Sequence, residues 1–340
     1  MCMQIVIRKG EPILTDPAIE QTTLSDLVEM DKTYEARIAL RRSVTTSHPH
    51  ETLACLPGAE PMVSELYTWL FTTYLPLRFP SMFTLLPSKT HPQPFNLVTS
   101  EAIPFPAPSP IEALNLISSH IDTDFLILAP RPLPSSDQEP YHLLAFANAF
   151  PSGFSPRDKL GLPLNKIHAP VPGYPTKLEK SMDRFFARIP TGHIVKRANW
   201  TVTTEDKLFC LKGNHFTADD GVRHETGSLS APVPVPGSDT KASDTTRLDA
   251  EIARQKAAVR VEDCRLRAER QTLHRLPRTG ALVFAFKTYL YPLDEVKAEP
   301  GMAEALAEAI EGLGLGSVPE MKTYKRQVVW GEKVCEYLRS

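Results

Sequence analysis

Apolar residues recur along the chain with two periods, and these divide it into helices and strands. Val63, Leu66, Tyr67, Leu70, Phe71 and Tyr74 follow the i, i+3, i+4, i+7 rule, which places them on one face of a helix over 60–77. Pro76 and Pro80 end it. Residues 24–44 read as a pair of helices, ETLACLPG (51–58) as a short helix stopped at Pro57-Gly58, and 110–119 as a helix with Pro110 in its first turn. Two continuous apolar runs follow, FLILAP (125–130) and HLLAFANAF (142–150). The turn-forming residues between them make them an antiparallel hairpin with a long loop. Leu178, Met182, Phe185, Phe186 and Ile189 mark another helical face. RANWTVTT (197–204) alternates: Arg197, Asn199, Thr201 and Thr203 fall on one side, Ala198, Trp200 and Val202 on the other, as in a half-buried strand. ALVFAFKTYLYPL (281–293) is rich in β-branched and aromatic residues and reads as a strand. Residues 302–313 and 332–338 are expected to be helices.

Between these elements the pattern is less decisive. RLDAEIARQKAAVRV (247–261) is helical by propensity. LRAERQTLHRL (266–276) either continues that helix or forms a strand with Leu266, Ala268, Arg270, Thr272, His274 and Leu276 on one face. The turn LPRTG (276–280) before a strand favours an antiparallel partner, but periodicity alone leaves both open. Residues 1–23 read as a loose arm. Residues 80–110, with eight prolines and little periodicity, read as an irregular wrap. Residues 212–246 are polar and rich in Gly, Pro, Ser, Thr and Asp, as in a mobile surface insertion.

Composition narrows the class. With 340 residues, 42% of them hydrophobic and 23% charged, the chain can build a real core. A net charge of −2 offers no excess of cations for a phosphate backbone, so nucleic acid is not an expected partner. The five cysteines, Cys2, Cys55, Cys210, Cys264 and Cys335, are scattered and form no C-x-x-C pair. That argues against a disulfide framework, a structural zinc site and a protein-ligated iron–sulfur cluster. No apolar run reaches the ~18 residues of a membrane span, and the N-terminus is too short and polar for a signal peptide. A cytoplasmic location is the expectation. The 32 prolines, roughly twice the average of about 5%, read as stiff connections around a compact core.

Most familiar motifs are missing. GLGLGS (312–317) imitates a dinucleotide fingerprint but closes a helix instead of opening one, so it reads as a C-terminal cap. No residues define a flavin or nicotinamide site. A lone His168 stands in a turn with Pro170, Pro172 and Pro175. Prolines leave such a turn few conformations to lose and hold the neighbouring side chain in place, which suits a metal or cofactor ligand as well as a plain helix start. Arg270, Lys287 and Tyr289 sit within otherwise apolar strand patterns, and Arg197 and Asn199 flank Trp200. A buried guanidinium requires an anionic partner, either a neighbour such as Glu269 or Asp263 or a bound carboxylate. A few cations converging with one histidine would suit haem, whose propionates need cations and whose iron needs an axial ligand.

Several segments carry a family resemblance: KLGLPLNKIHAPVPGY, KLEKSMDRFFARI, RANWTV, TYEARIALRRSV, ACLPGAEPMVSEL and above all LRAERQTLHRLPRTGALVFAFKTYLYPL. Together they resemble the haem-dependent oxidative N-demethylase family, from about residue 24 to the C-terminus. The resemblance implies an α+β, PAS-like fold: a curved antiparallel sheet flanked by helices, holding haem b, with an N-terminal helical region. It implies one domain over 24–340 after the arm, with a core about 121–293, the insertion at 212–246 and C-terminal helices over 302–340, and it favours a strand after about residue 264. The implied activity is oxidative N-demethylation of a small methylated amine with O2. The electrons would come from a separate reductase, since no FMN, NAD or iron–sulfur site is expected on this chain. A non-catalytic haem, gas or small-ligand sensor is the alternative. Carried onto this sequence, the resemblance implies His168 as the axial ligand of the iron and Arg197, Arg270, Arg275 and Lys287 as cofactor-binding cations. It implies Tyr174, Asn199, Trp200 and Tyr289 as catalytic-pocket residues.

Overall fold

The structure is a computed structural model that describes residues 19–131, 140–216 and 240–340, with backbone alone over 240–247. Its strands are β1 (Glu20–Thr22), β2 (Leu53–Cys55), β3 (Phe83–Leu86), β4 (Gln93–Asn96), β5 (Glu101–Ala102), β6 (Asp124–Pro130), β7 (Tyr141–Ala147), β8 (Ile194–Thr203), β9 (Arg265–Arg275) and β10 (Leu282–Pro292). Seven of them form one sheet in the order β1-β8-β9-β10-β6-β7-β2, with every neighbouring pair antiparallel. The long β9–β10 hairpin is its spine, in register from Arg265↔Pro292 to Leu282↔Arg275. The hairpin turn is clamped from outside: Arg278 N and Thr279 N donate to the two carboxylate oxygens of Glu65 at 2.7 and 2.8 Å. Gly280, at φ 71°, supplies the left-handed residue that the turn needs.

Strand β9 is buried on both faces, and different material covers each. Its even-numbered side carries Leu266, Ala268, Arg270, Thr272 and His274. Toward one end, helices Tyr34–Ser47, Glu60–Trp69 and Pro110–His120 pack there into the largest core, with Phe125, Ile127, Val283 and Ala285 from the sheet. Toward the other end, helices Met302–Gly312 and Gln327–Arg339 build a second core on Val202 and Leu266 around Trp330. The odd-numbered side faces Leu164, Met182, Phe185 and Phe186, from the chain between β7 and β8.

The elements follow the apolar periods closely, and four departures have physical reasons. Residues 20–22 are not a loose arm but pair with Ile194–Lys196 of β8; residues 1–18 lie outside the described residues. Leu53–Cys55 is an edge strand on β7 instead of part of a helix, too short for any period to register. The proline-rich 80–110 stretch is not an irregular wrap throughout: β3, β4 and β5 form a small antiparallel sheet within it, and Pro94 within β4 obscures the strand pattern. The helix beginning at Glu60 runs through Pro76 to Arg78 by opening a π-turn over Leu70–Tyr74, a known way of absorbing a mid-helix irregularity. Of the proposed insertion, 217–239 lie outside the described residues. Asn214 and Phe216 are buried, and Thr240–Ala258 is helical.

His274 exposes a cost of the two-sided sheet. Both ring nitrogens are buried without a hydrogen-bond partner among the described residues, and the ring packs 5.7 Å from Trp69. Burial pulls its pKa down to about 4. The unfolded chain takes up that proton near 6.5, so between these values the unfolded state binds more protons and folding weakens as pH falls. His274→Leu is expected to be at least as stable as the parent at pH 7. At pH 5 it should be more stable by ~2 kcal/mol, as read by urea denaturation at both pH values. A parent that gains on the variant as the solution is acidified would contradict this.

Candidate functional site

A cavity of about 580 Å³ opens on the odd-numbered face of β9. Such a volume is within the ~300–1,000 Å³ typical of cofactor and ligand sites. One part of its wall is apolar, formed by Leu126, Leu128, Phe284, Phe286, Met182 and Phe185. Another part is polar. Among the described residues, six basic side chains line the cavity (Lys159, Lys177, Lys196, Arg197, Arg267 and Lys325), against one carboxylate, Glu269. That excess of positive charge favours a ligand with anionic groups.

His168 follows the one-turn helix Leu164–Ile167 as its C-cap. Its backbone N–H and its Nδ1 both lie 2.9 Å from Leu164 O. A carbonyl can only accept, so Nδ1 carries the proton and Nε2 is left as an unprotonated donor atom. Nε2 has no hydrogen-bond partner among the described residues, and the residue lines the cavity. Burial, and to a lesser degree the nearby Lys159 and Arg197 charges, pull the ring's pKa down to about 4, against the opposing pull of the Leu164 hydrogen bond. The imidazole is therefore neutral at neutral pH. A backbone carbonyl on the far nitrogen is the usual device that fixes a metal-binding histidine's tautomer and orientation.

The turn after His168 is braced on both sides. The His168 ring stacks on Tyr174, with centroids 4.7 Å apart and planes 14° from parallel. Gly173 stands at φ 74°, and a Cβ there would come within 2.8 Å of Val318 Cγ2, so the turn fits closely under the 317–325 segment. Lys159 Nζ donates to Ile167 O at 3.1 Å and sits over Phe154 at 4.3 Å. Burial lowers its pKa to about 8.

Among the residues expected at the site, the structure brings His168, Tyr174, Arg197, Asn199 and Trp200 to the cavity. The Tyr174 hydroxyl is buried with no partner among the described residues. Trp200 also packs with the C-terminal helix core. The other four are elsewhere. Arg270 is on the opposite face of β9, paired with Glu29 at 3.1 Å and donating to Asp26 O. Lys287 is buried on that face between Asp31 at 2.6 Å and Asp122 at 3.2 Å, with Tyr289 beside it under a cation–π contact. Arg275 donates to the backbone oxygens of Phe186, Ile189 and Gly280, tying the end of helix Glu179–Arg188 to the hairpin. The even positions of β9, Arg270 among them, face the helix-covered side and the odd positions face the cavity; a strand buried on both faces gives period two without saying which side meets a ligand.

The site residues that sequence reasoning passed over follow from this. Arg267, Glu269 and Gln271 are the odd positions of β9. His215 lines the cavity from within a stretch read as surface insertion. It stacks on Tyr324 at 4.6 Å, and burial pulls its pKa down to about 3. The buried Lys325 donates to Asn199 Oδ1 at 3.3 Å and to Trp200 O at 2.7 Å, covering a stretch of β8 beyond its pairing with β1. No cluster of three or more His, Cys, Asp or Glu able to hold a metal ion occurs among the described residues, and no helix among them is long and apolar enough to cross a membrane.

A family model described as haem-dependent oxidative N-demethylase, alpha subunit-like, matches residues 18–335.

Proposed function

Because the chain belongs to the haem-dependent oxidative N-demethylase, alpha subunit-like family, we propose that its cavity binds haem b with His168 as axial ligand and serves oxidative N-demethylation of a small methylated amine. The observation that carries the proposal is the His168 tautomer: Nδ1 is committed to Leu164 O, and Nε2 has no hydrogen-bond partner among the described residues while the residue lines a cavity whose wall is partly apolar. The donor set fits haem, since one imidazole suffices for an iron already held by a porphyrin. The apolar wall would cover the macrocycle and exclude water. Arg197 and Lys159, the two cations whose charge reaches the His168 ring, would meet propionates. Arg270, Lys287 and Arg275 are committed to other partners, so the propionate role moves away from them. Haem bound there would supply dioxygen activation and oxidation of an N-methyl carbon, released as formaldehyde, with electrons from a separate reductase.

The proposal includes a PAS-like core over about 121–293. Its support is the order β8-β9-β10-β6-β7 within the large antiparallel sheet, together with the cavity held against one face of that sheet. The test is reconstitution of the full chain with haem, followed by incubation with methylated amines and a reductase. A Soret band with formaldehyde release is the expected result. A colourless protein in excess haem would sink the haem assignment. A Soret band without formaldehyde under any electron donor would move the protein to a sensing or binding role.

A further inference from the structure

A second histidine faces the cavity, and its ring is held differently from that of His168. His215 lines the wall and stacks on Tyr324 at 4.6 Å. A Cβ on Gly153 would come within 3.0 Å of its Nδ1 and 2.8 Å of Asn214 Cβ, so the ring's Nδ1 edge lies against a glycine that no other residue could replace without a shift. Gly153 N donates to Cys210 O at 2.7 Å, Asn214 Nδ2 to Ser152 Oγ at 3.2 Å and Phe216 N to Tyr324 O at 3.0 Å. These bonds fix the chain on both sides of the ring, yet neither ring nitrogen has a hydrogen-bond partner among the described residues. Burial, then the charges of Lys325, Lys159, Arg267 and Arg326, keep the imidazole unprotonated. His168 feels Lys159 and Arg197 instead. Arg197 pairs with Gln271 across β8 and β9, four residues from Arg267 and thus about 13 Å along the strand. One imidazole stands toward the Arg197 end of the cavity and the other toward the Arg267 end.

We propose that His215 is the gas-facing residue of the cavity, donating an N–H to a diatomic ligand such as dioxygen on the side of the haem away from His168. This rests on the haem reading above. The tautomers separate the two roles, since the nitrogen that carries the proton is set by what the other one meets. In His168 the proton is held on Nδ1 by Leu164 O, which leaves a lone pair for iron. No acceptor holds a proton on Nδ1 of His215, so Nε2, on the ring edge turned from Gly153, is free to carry it. A neutral imidazole there gives a bound gas one directed hydrogen bond. A ring that only filled the space between Gly153 and Tyr324 would be replaced by phenylalanine with no effect on gas binding.

The experiment uses the haem-loaded, ferrous full chain, with carbon monoxide and dioxygen as probes. His215→Phe keeps a ring on Tyr324 and removes the N–H. Its carbon monoxide stretching band is expected at higher wavenumber than the parent's, because a donor on the ligand oxygen favours the back-donation that weakens the C–O bond. Dioxygen should dissociate roughly 10-fold faster, the size of one lost hydrogen bond, and the Soret band of the gas-free protein should persist. His215→Gln, which returns an N–H, should recover much of both parameters. Should His215→Phe fail to fold, His215→Ala, which crowds neither Gly153 nor Tyr324, carries the same expectation. A stretching band and a dioxygen release rate equal to the parent's in these variants would overturn the assignment. So would loss of the Soret band in them with its retention in His168→Ala, which would exchange the two roles. A parent protein with no Soret band sinks the haem reading and this one together, whereas haem-loaded variants with the parent's gas binding sink only the role of His215.

Discussion

His168→Ala is expected to weaken haem binding by more than about 100-fold while leaving the fold in place. The side chain lies in a turn outside the sheet, its ring set against Tyr174 and its Nδ1 on Leu164 O. Neither contact belongs to the two large cores that cover the other face. Far-UV circular dichroism should therefore be unchanged, and the Soret band should disappear or shift to that of weakly held haem. Loss of an outer-shell partner to a metal-bound histidine costs roughly 10–100-fold in affinity, and loss of the ligand itself should exceed that. Free imidazole should restore part of the spectrum by filling the space left. The same ring fixes the acid limb. Ligation needs the unprotonated form, and burial holds the pKa down to about 4, so haem should stay bound as pH falls through 6.5 and be released only near the lower value. A spectrum unaltered in His168→Ala, or acid release with a midpoint near 6.5, would count against His168 as the ligand.

How far the sequence reveals this site depends on which physical signal each residue leaves. His168 is visible because prolines at 170, 172 and 175 stiffen its turn, and stiffness is local. Arg197 and Asn199 are visible because polar and apolar residues alternate strictly over 197–203 of β8, even though the polar side faces the cavity instead of solvent. Glu269 and Gln271 are hidden because β9 is covered on both faces: its even side also carries polar residues, Arg270, Thr272 and His274, so period two assigns no direction. The partners that commit Arg270 and Lys287 elsewhere, Glu29, Asp31 and Asp122, are more than a hundred residues distant in sequence, and no local pattern can anticipate them. The strands themselves are easier to read. Apolar-rich runs of six to thirteen residues bounded by turn residues mark β6, β7 and β10, whereas β2 and β5, of three and two residues, leave no period at all.

Arg41→Ala is expected to be the most destabilising single change, by ~3–5 kcal/mol, out of a typical domain stability of about 5–15 kcal/mol. Arg41 and Asp124 are each about 1% exposed and pair at 2.7 Å. The guanidinium also donates to Ser118 O at 3.0 Å and Thr123 O at 2.9 Å. Asp124 in turn accepts from Ala149 N at 2.7 Å and Phe150 N at 3.1 Å, fixing the chain as it leaves β7. Removing the arginine strands a carboxylate in the interior and leaves two carbonyls without their donor, and the desolvation cost of those groups dominates. Urea denaturation should show a lower midpoint with an unchanged slope. Adding Asp124→Asn removes the stranded charge, so the double variant should lose less than the sum of the two single changes. The effect should also reach the cavity. Phe150 O accepts from Arg267 Nη2 at 2.7 Å, and Ser152 and Phe154, on the same exit chain, line the wall. At temperatures where Arg41→Ala remains folded, its haem should therefore dissociate faster than from the parent. Equal dissociation rates would separate the two networks and confine Arg41 to the helix–sheet core.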